Sequence, residues 1–191
     1  LISEFLPGFR GGGPIRSIAN FVDQLGDEFE IRIICRDRDV EDSLPYSNIE
    51  VDKWNTLGKA KVFYASKKMI GFFGIFKLLR ETEYDILYLN SFFSFNFTIL
   101  PLIIRYFGLA KDKPCAIAPR GELAKNAIAL KNKKKNIYLW LVKFLGFYNN
   151  LNWQVSSHLE LADIHREFGE VAKKIKIAPD LISFSKAKLD T

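Results

Sequence analysis

One run of residues is suited to placing bare backbone against a ligand: Pro7-Gly8-Phe9-Arg10-Gly11-Gly12-Gly13-Pro14. It follows an apolar start, Leu1-Ile2-Ser3-Glu4-Phe5-Leu6. It precedes Ile15, Ile18, Val22 and Leu25, which recur on one helical face. Strand, glycine loop and helix together offer backbone N–H groups and a helix N-terminus to an anionic or sugar-like group. Gly11, Gly12 and Gly13 remove every Cβ from that surface and allow positive φ. Pro14 fits the first helical position, where its missing N–H costs nothing. Spacing excludes two common phosphate loops. A Gly-x-Gly-x-x-Gly pattern started at Gly11 puts Arg16 at its third glycine, and Pro14-Ile15 stands where a P-loop needs Lys-Ser/Thr. The alternative to a ligand-facing loop is a tight strand-to-helix turn that needs glycine for its own geometry.

Two further segments carry reactive side chains. Pro119-Arg120-Gly121-Glu122 places a permanent cation and a carboxylate together. The guanidinium can fork onto phosphate or carboxylate oxygens, or pair with Glu122 and shape its own loop. Ser157-His158-Leu159-Glu160 matches a capping box, with Ser157 capping a helix and Glu160 reaching back. His158 then lies in the cap turn, facing a crevice or solvent, and His165 on a helix surface. These histidines, with Cys35 and Cys115, have no metal-ligand spacing, so no metal is expected. Both cysteines sit in apolar runs and read as buried, reduced thiols. No Gly-x-Ser-x-Gly elbow is present, so a serine hydrolase is not indicated.

The formal net charge of +6 suits an anionic partner: nucleotide, phosphate, membrane surface or nucleic acid. Nucleic acid is not favoured, because no aromatic-basic readout module is recognisable. Leu123 to Leu159 contains no Asp or Glu but holds Lys125, Lys131, Lys133, Lys134, Lys135 and Lys143. Ile137, Trp140, Leu141, Phe144 and Phe147 accompany them. Such a mixture fits an interfacial segment on an anionic leaflet, or a solvated basic face over an ordinary core helix. Ile86 to Ile104 lacks charge, but Asn90, Ser91, Ser94, Asn96, Thr98 and Pro101 interrupt it. It reads as a buried strand, a polar turn and a buried helix, not a membrane span.

These groups need a frame. Strand-like runs occur at Leu1–Leu6, Phe29–Arg36, Asn48–Trp54, Asp85–Asn90, Cys115–Ala118, Trp153–Ser156 and Lys174–Ala178. Helical spacing follows the glycine loop and recurs at Ser66–Arg80, Asn96–Phe107, Ile137–Phe147 and Leu159–Phe168. The alternation predicts an α/β, doubly wound, mostly parallel Rossmann-like sheet with helices on both faces, as one domain over 1–191. Such sheets bind ligands beyond the carboxyl ends of their strands, where strand order reverses. That rule selects Gly11, Gly12, Gly13, Asn90, Ser91, Arg120, Gly121, Glu122 and His158, together with Ser156 and Ser157.

Taken in order, these motifs resemble a family. The Gly-Gly-Gly-Pro loop, the Pro119-Arg120-Gly121-Glu122-Leu123 turn followed by Ala129-Leu130-Lys131 and a lysine cluster, and Ser157-x-x-Glu160 are similar to the N-terminal domain of family-4 glycosyltransferases. The resemblance implies a retaining enzyme of the GT-B fold, with two Rossmann-like domains, that builds a bacterial surface polysaccharide or a lipid-linked saccharide. The N-terminal domain then binds the acceptor. A C-terminal domain, expected to lie outside 1–191, holds most nucleotide-sugar contacts, including Glu-x7-Glu. Carried over by position, Gly12 and Gly13 approach the donor sugar or diphosphate, and Arg120, Gly121 and Glu122 lie near the reacting sugar or acceptor. Lys131, Lys133, Lys134 and Lys135 face the membrane or acceptor. Ala178-Pro179-Asp180-Leu181-Ile182 is similar to the lead into the second domain, from which Asp180-Leu181 departs. The family's chemistry needs no dedicated protein base, so no catalytic residue is assigned; the donor is a substrate, and no cofactor is implied. Localisation is expected to be cytoplasmic, peripheral to the inner face of the membrane. The alternative is a stand-alone Rossmann-like module binding a phosphorylated or nucleotide ligand without catalysis.

Overall fold

A computed structural model describes residues 1–129, 132–169, 172 and 174–182, with the side chains of 132 and 133 left aside. The chain is α/β. Helix α1 (Gly13–Leu25) leads to β1 (Ile31–Arg36), β2 (Trp54–Leu57) and β3 (Ala60–Ala65). Helix α2 (Phe72–Glu81), β4 (Leu87–Asn90), a π-helical turn at Phe95–Ile99 and α3 (Leu100–Tyr106) follow. Then come β5 (Cys115–Ala118), α4 (Lys125–Ala129), α5 (Asn132–Leu145), β6 (Asn152–Val155), α6 (His158–Phe168) and β7 (Ile175–Ile177).

The strands form a three-stranded sheet, ordered β1-β3-β2, and a four-stranded sheet, ordered β4-β5-β6-β7. Every pairing in the larger sheet is parallel. In the smaller one β1 and β3 are parallel, whereas β2 runs antiparallel to β3. The expected strand at Leu1–Leu6 is reduced to a parallel bridge between Ile2 and Asn90. The same segment bonds to β1 on its other side, through Ile2 N–H to Ile34 C=O and Arg36 N–H to Ser3 C=O. Leu1–Ser3 therefore stitches the two sheets together. It cannot run on as a strand, because the chain turns at once: Gly8 N–H closes onto Phe5 C=O, and Pro7 has no N–H to give.

Alternation along β1 and β3 divides the core. Ile33, Cys35, Val62 and Tyr64 pack with Ile15, Ile18 and Val22 of α1. Ile34, Phe63 and Ala65 pack with Leu78 of α2 on the other face. The largest cluster lies under the four-stranded sheet, where Leu89, Ile117, Trp153 and Val155 meet α2, α3, α5 and α6. Phe92 stacks on Tyr148 with centroids 4.8 Å apart, and Trp153 sits 5.2 Å from Phe168. Removing such a ring typically costs about 3–5 kcal/mol, so this cluster anchors β4, β6 and α6 relative to one another.

Further elements differ from the sequence expectation. Asn48 to Lys53 is turn, not strand, because the Asn55 side chain bonds the backbone of Glu50 and Lys53 and Asp52 takes a positive φ of 59°. The strand begins only at Trp54. A strand absent from that expectation, β3, returns after Gly58, whose φ of 57° permits the tight reversal. Helix α2 starts at Phe72 instead of Ser66, since Ser66–Ile70 curls into a separate turn closed by Ile70 N–H on Ser66 C=O. The uncharged stretch resolves, as expected, into β4, a polar turn and helix. Among the described residues, no helix is long and apolar enough to cross a membrane.

Candidate functional site

The carboxyl ends of β4, β5 and β6 and the start of α1 are tied together by hydrogen bonds, and Arg120 is their hub. Its Nε and Nη2 donate to Asn90 Oδ1, at 3.2 and 2.6 Å. Nη2 also reaches the Tyr88 hydroxyl at 3.2 Å, and Nη1 the Ser17 hydroxyl at 3.1 Å. Asp180 completes the set with an ion pair. The side chain is only 8% exposed. The expected alternative partner, Glu122, is not used. Burial raises the Tyr88 hydroxyl pKa, while the neighbouring Arg120 charge opposes that rise.

Glu122 instead folds back onto the loop after β4. It accepts from Ser91 Oγ at 2.8 Å and from the N–H groups of Phe92 and Phe93, both at 2.8 Å. Glu160 is buried and does the same for the other side. It accepts from Gly121 N–H at 2.8 Å and from Ser156 N–H at 2.8 Å, while its own N–H bonds Ser157 Oγ at 3.3 Å. The capping box is thus present, with its return bond shifted to Ser156 and the carboxylate shared with Gly121. His158 opens α6 in an exposed position, away from this network of bonds.

Backbone strain collects at the same place. Glu122 N–H closes a tight turn on Pro119 C=O, with φ of 57° at Arg120 and 74° at Gly121. Positive φ at both central residues marks a type I′ geometry, unfavourable by about 1–2 kcal/mol for a side chain such as arginine. Ser91 carries a φ of 117° directly beside it. The bonds of Arg120, Glu122 and Glu160 hold these conformations, and residues over-determined in this way cluster at functional sites.

The three glycines have different duties. A Cβ on Gly11 would stand 2.9 Å from Ile15 Cδ1, so that glycine serves packing. A Cβ on Gly12 or on Gly13 would meet nothing within 4 Å, and Gly12 also has a φ of 69°. Their backbone faces open space at the N-terminus of α1, where no side chain caps the helix. A Cβ on Gly121 would likewise meet nothing within 4 Å. The Arg120–Ser17 bond fixes the second turn of α1 against the Arg120-Gly121 turn. Gly12, Gly13, Asn90, Ser91, Arg120, Gly121 and Glu122 therefore belong to one rim, with exposed backbone at Gly12, Gly13 and Gly121.

Two carboxylates that sequence reasoning passed over support that rim. Asp39 is buried and accepts from Phe9 N–H at 2.8 Å, Arg10 N–H at 3.2 Å and Val40 N–H at 2.8 Å. Burial pushes its pKa up, but these backbone bonds outweigh it and hold the carboxyl below its ordinary value of 3.8. Glu4 lies beneath the glycine loop, paired with Arg36 at 3.3 Å, and burial raises its pKa despite that charge. Both stand just past segments that end at the rim. The strand-end rule applied to Phe29–Arg36 would have found Asp39, and applied to Leu1–Ser3 would have found Glu4. Ser17, Tyr88 and Asp180 carried no comparable signal.

A cavity of about 850 Å³, lined in part by Phe21, Tyr88, Asn90, Arg120 and Gln154, runs from the rim toward the amino ends of β1 and β4. The glycine loop does not line it, so it adjoins the rim without being the same site. Cys35 and Cys115 are free and buried, as their context implied, and burial pushes the Cys115 thiol up to about 11. Among the described residues, no group of three or more His, Cys, Asp or Glu could hold a metal. Of the four lysines expected to face membrane or acceptor, Lys131 and the Lys133 side chain lie outside the described residues. Lys134 is exposed. Lys135 turns inward, bonding Ala127 C=O and sitting 4.7 Å over the Phe93 ring. Compared with known proteins, the sequence matches no family model and no curated protein.

Proposed function

We propose that this chain is the acceptor-side, Rossmann-like half of a retaining glycosyltransferase of the GT-B kind. It would transfer a sugar from a nucleotide donor to a saccharide or lipid-linked acceptor. The observation that carries the reading is the rim. Uncovered backbone at Gly12, Gly13 and Gly121 sits beside two strained, side-chain-bearing residues, Ser91 and Arg120. Uncapped N–H groups at the start of α1 suit a diphosphate or sugar oxygen. Arg120 is committed to Asn90, Ser17, Tyr88 and Asp180, so its role is to hold the rim in shape. Gly12 N–H is bonded to Phe9 C=O and Gly121 N–H to Glu160, so the ligand-facing donors are those at the start of α1, and Gly12 and Gly121 contribute room for close approach. The resemblance of the ordered motifs to family-4 enzymes supplies the reaction class, and the donor would be gripped mainly by a second domain. Closing that second surface over the rim would exclude water and align donor with acceptor.

Gly13→Leu in the complete gene product tests this reading. The new side chain enters open space, and because a residue before Pro14 is disfavoured in the helical region, circular dichroism and the thermal midpoint are measured beside turnover. Turnover of a nucleotide sugar should fall at least tenfold, since the backbone is no longer open to approach. Unchanged turnover in a folded variant would assign the loop to chain reversal alone.

A further inference from the structure

We propose that Glu4 and Arg36 form a subsite for two neighbouring hydroxyl groups of a saccharide, the carboxylate accepting from one and the guanidinium donating to the other. This deepens the transferase reading and rests on it for the class of ligand. Across the molecule the strands run β2-β3-β1, then Leu1–Ser3, then β4-β5-β6-β7. From Leu1–Ser3 the chain builds β1 to one side and later β4 to the other, so strand order reverses on this segment. Ligands of such sheets lie beyond the carboxyl ends of the strands at that reversal. Glu4 is the first residue past Leu1–Ser3, and Arg36, the last residue of β1, is paired with it. Ser94, in the loop after β4, stands on the other flank, its hydroxyl 2.9 Å from that of Ser3.

Both groups carry hydrogen-bonding capacity that the fold leaves unused. A carboxylate has room for about four hydrogen bonds. Among the described residues Glu4 is met by Arg36 alone, Oε1 to Nη1 at 3.3 Å. Burial raises the Glu4 pKa, and Arg36 does not cancel the rise. Asp39, with three backbone N–H donors, is held the opposite way. Arg36 Nε is buried and has no partner among the described residues. The pair is still open to the outside, with the Glu4 side chain 13% and the Arg36 side chain 36% exposed. A Cβ on Gly11 would stand 3.4 Å from Glu4 Oε2, so the glycine leaves that oxygen uncovered. An acceptor beside a fork of donors matches adjacent sugar hydroxyls, each of which both donates and accepts. A phosphate or carboxylate ligand would meet the Glu4 charge at close range and be repelled. The start of α1 therefore suits an oxyanion, and the Glu4–Arg36 pair suits neutral hydroxyls.

Two measurements test the subsite, with the methyl glycosides of glucose, galactose and mannose as probes. In saturation-transfer NMR, at least one glycoside should contact the 191-residue chain, and the contact should be lost in Glu4→Gln and in Arg36→Lys. Glu4→Gln keeps the side chain's shape and Arg36→Lys keeps its charge, so the thermal midpoint of each should stay close to that of wild type. In the complete gene product, supplied with a panel of nucleotide sugars, each variant should raise KM for the glycoside roughly tenfold and leave KM for the donor unchanged. Wild type that contacts none of the three glycosides would overturn the subsite. So would folded variants that bind them like wild type, or variants in which both KM values move together. A complete protein that turns over no nucleotide sugar, while its glycoside contacts still depend on Glu4 and Arg36, would support the subsite and remove the transferase reading alone.

Discussion

Arg120 and Asp39 illustrate how single polar side chains shape backbone that no hydrophobic contact could specify. Arg120 sits at positive φ because its guanidinium is satisfied from β4, α1 and the segment after β7 at once. Asp39 does the equivalent work for the glycine loop through the N–H groups of Phe9 and Arg10, with Val40 N–H as a third donor. Asp39→Asn keeps the shape but puts an amide NH₂ against one side of that donor set. Leaving a buried donor unmatched costs about 1–3 kcal/mol, and chemical denaturation at pH 7 should register a loss of that size. The pH dependence has a definite sign. The folded state holds the carboxyl below 3.8, so on acidification the unfolded chain takes up the proton first. The stabilisation is complete above that pH and is lost as pH falls through the folded-state value. The gap between wild type and variant should narrow over the same acidic window, and a constant gap would contradict this role.

At the scale of elements, Ser66–Phe76 separates what periodicity can and cannot reveal. The apolar spacing of Phe72, Phe76 and Leu79 marks a helix correctly, but it does not set where the helix starts. The turn at Ser66–Ile70 lays Met69 backbone across the first turn of α2, and a Cβ on Gly74 would stand 2.2 Å from Met69 oxygen. Backbone cannot yield as a side-chain tip can. Gly74→Ala should therefore destabilise the protein by about 1–3 kcal/mol despite alanine's higher helix propensity, measured by thermal or urea unfolding. A stabilised variant would mean the crossing relaxes freely. Strands β4 and β5 are legible as short, mainly apolar runs between polar turns, and β6 and β7 as alternations of polar and apolar residues. Strand β3 was not, because Lys59 and Lys61 flank its start and its identity depends on pairing with distant Ile31–Arg36. The antiparallel placement of β2 likewise follows from the Gly58 reversal and not from its own residues. In the site, the glycines and the Arg120-Gly121 turn could be read from type and spacing. Their partners Ser17, Tyr88 and Asp180 could not, since hydrogen bonds across 32 to 103 residues leave no local pattern.

Across the whole molecule, two sheets meet along Leu1–Ser3, and the rim of exposed glycine backbone forms where the loops after that segment, β4 and β5 converge. If the rim is one half of a cleft whose other half grips the donor, nucleoside diphosphate release from a panel of nucleotide sugars is the direct test. The complete gene product and the 191-residue chain should be assayed side by side, with a saccharide or lipid-linked acceptor. The expected result is turnover of at least one donor by the complete protein and none by the 191-residue chain alone. No turnover of any donor by the complete protein, or equal turnover by the chain on its own, would contradict the assignment of this domain as the acceptor-side half of a glycosyltransferase.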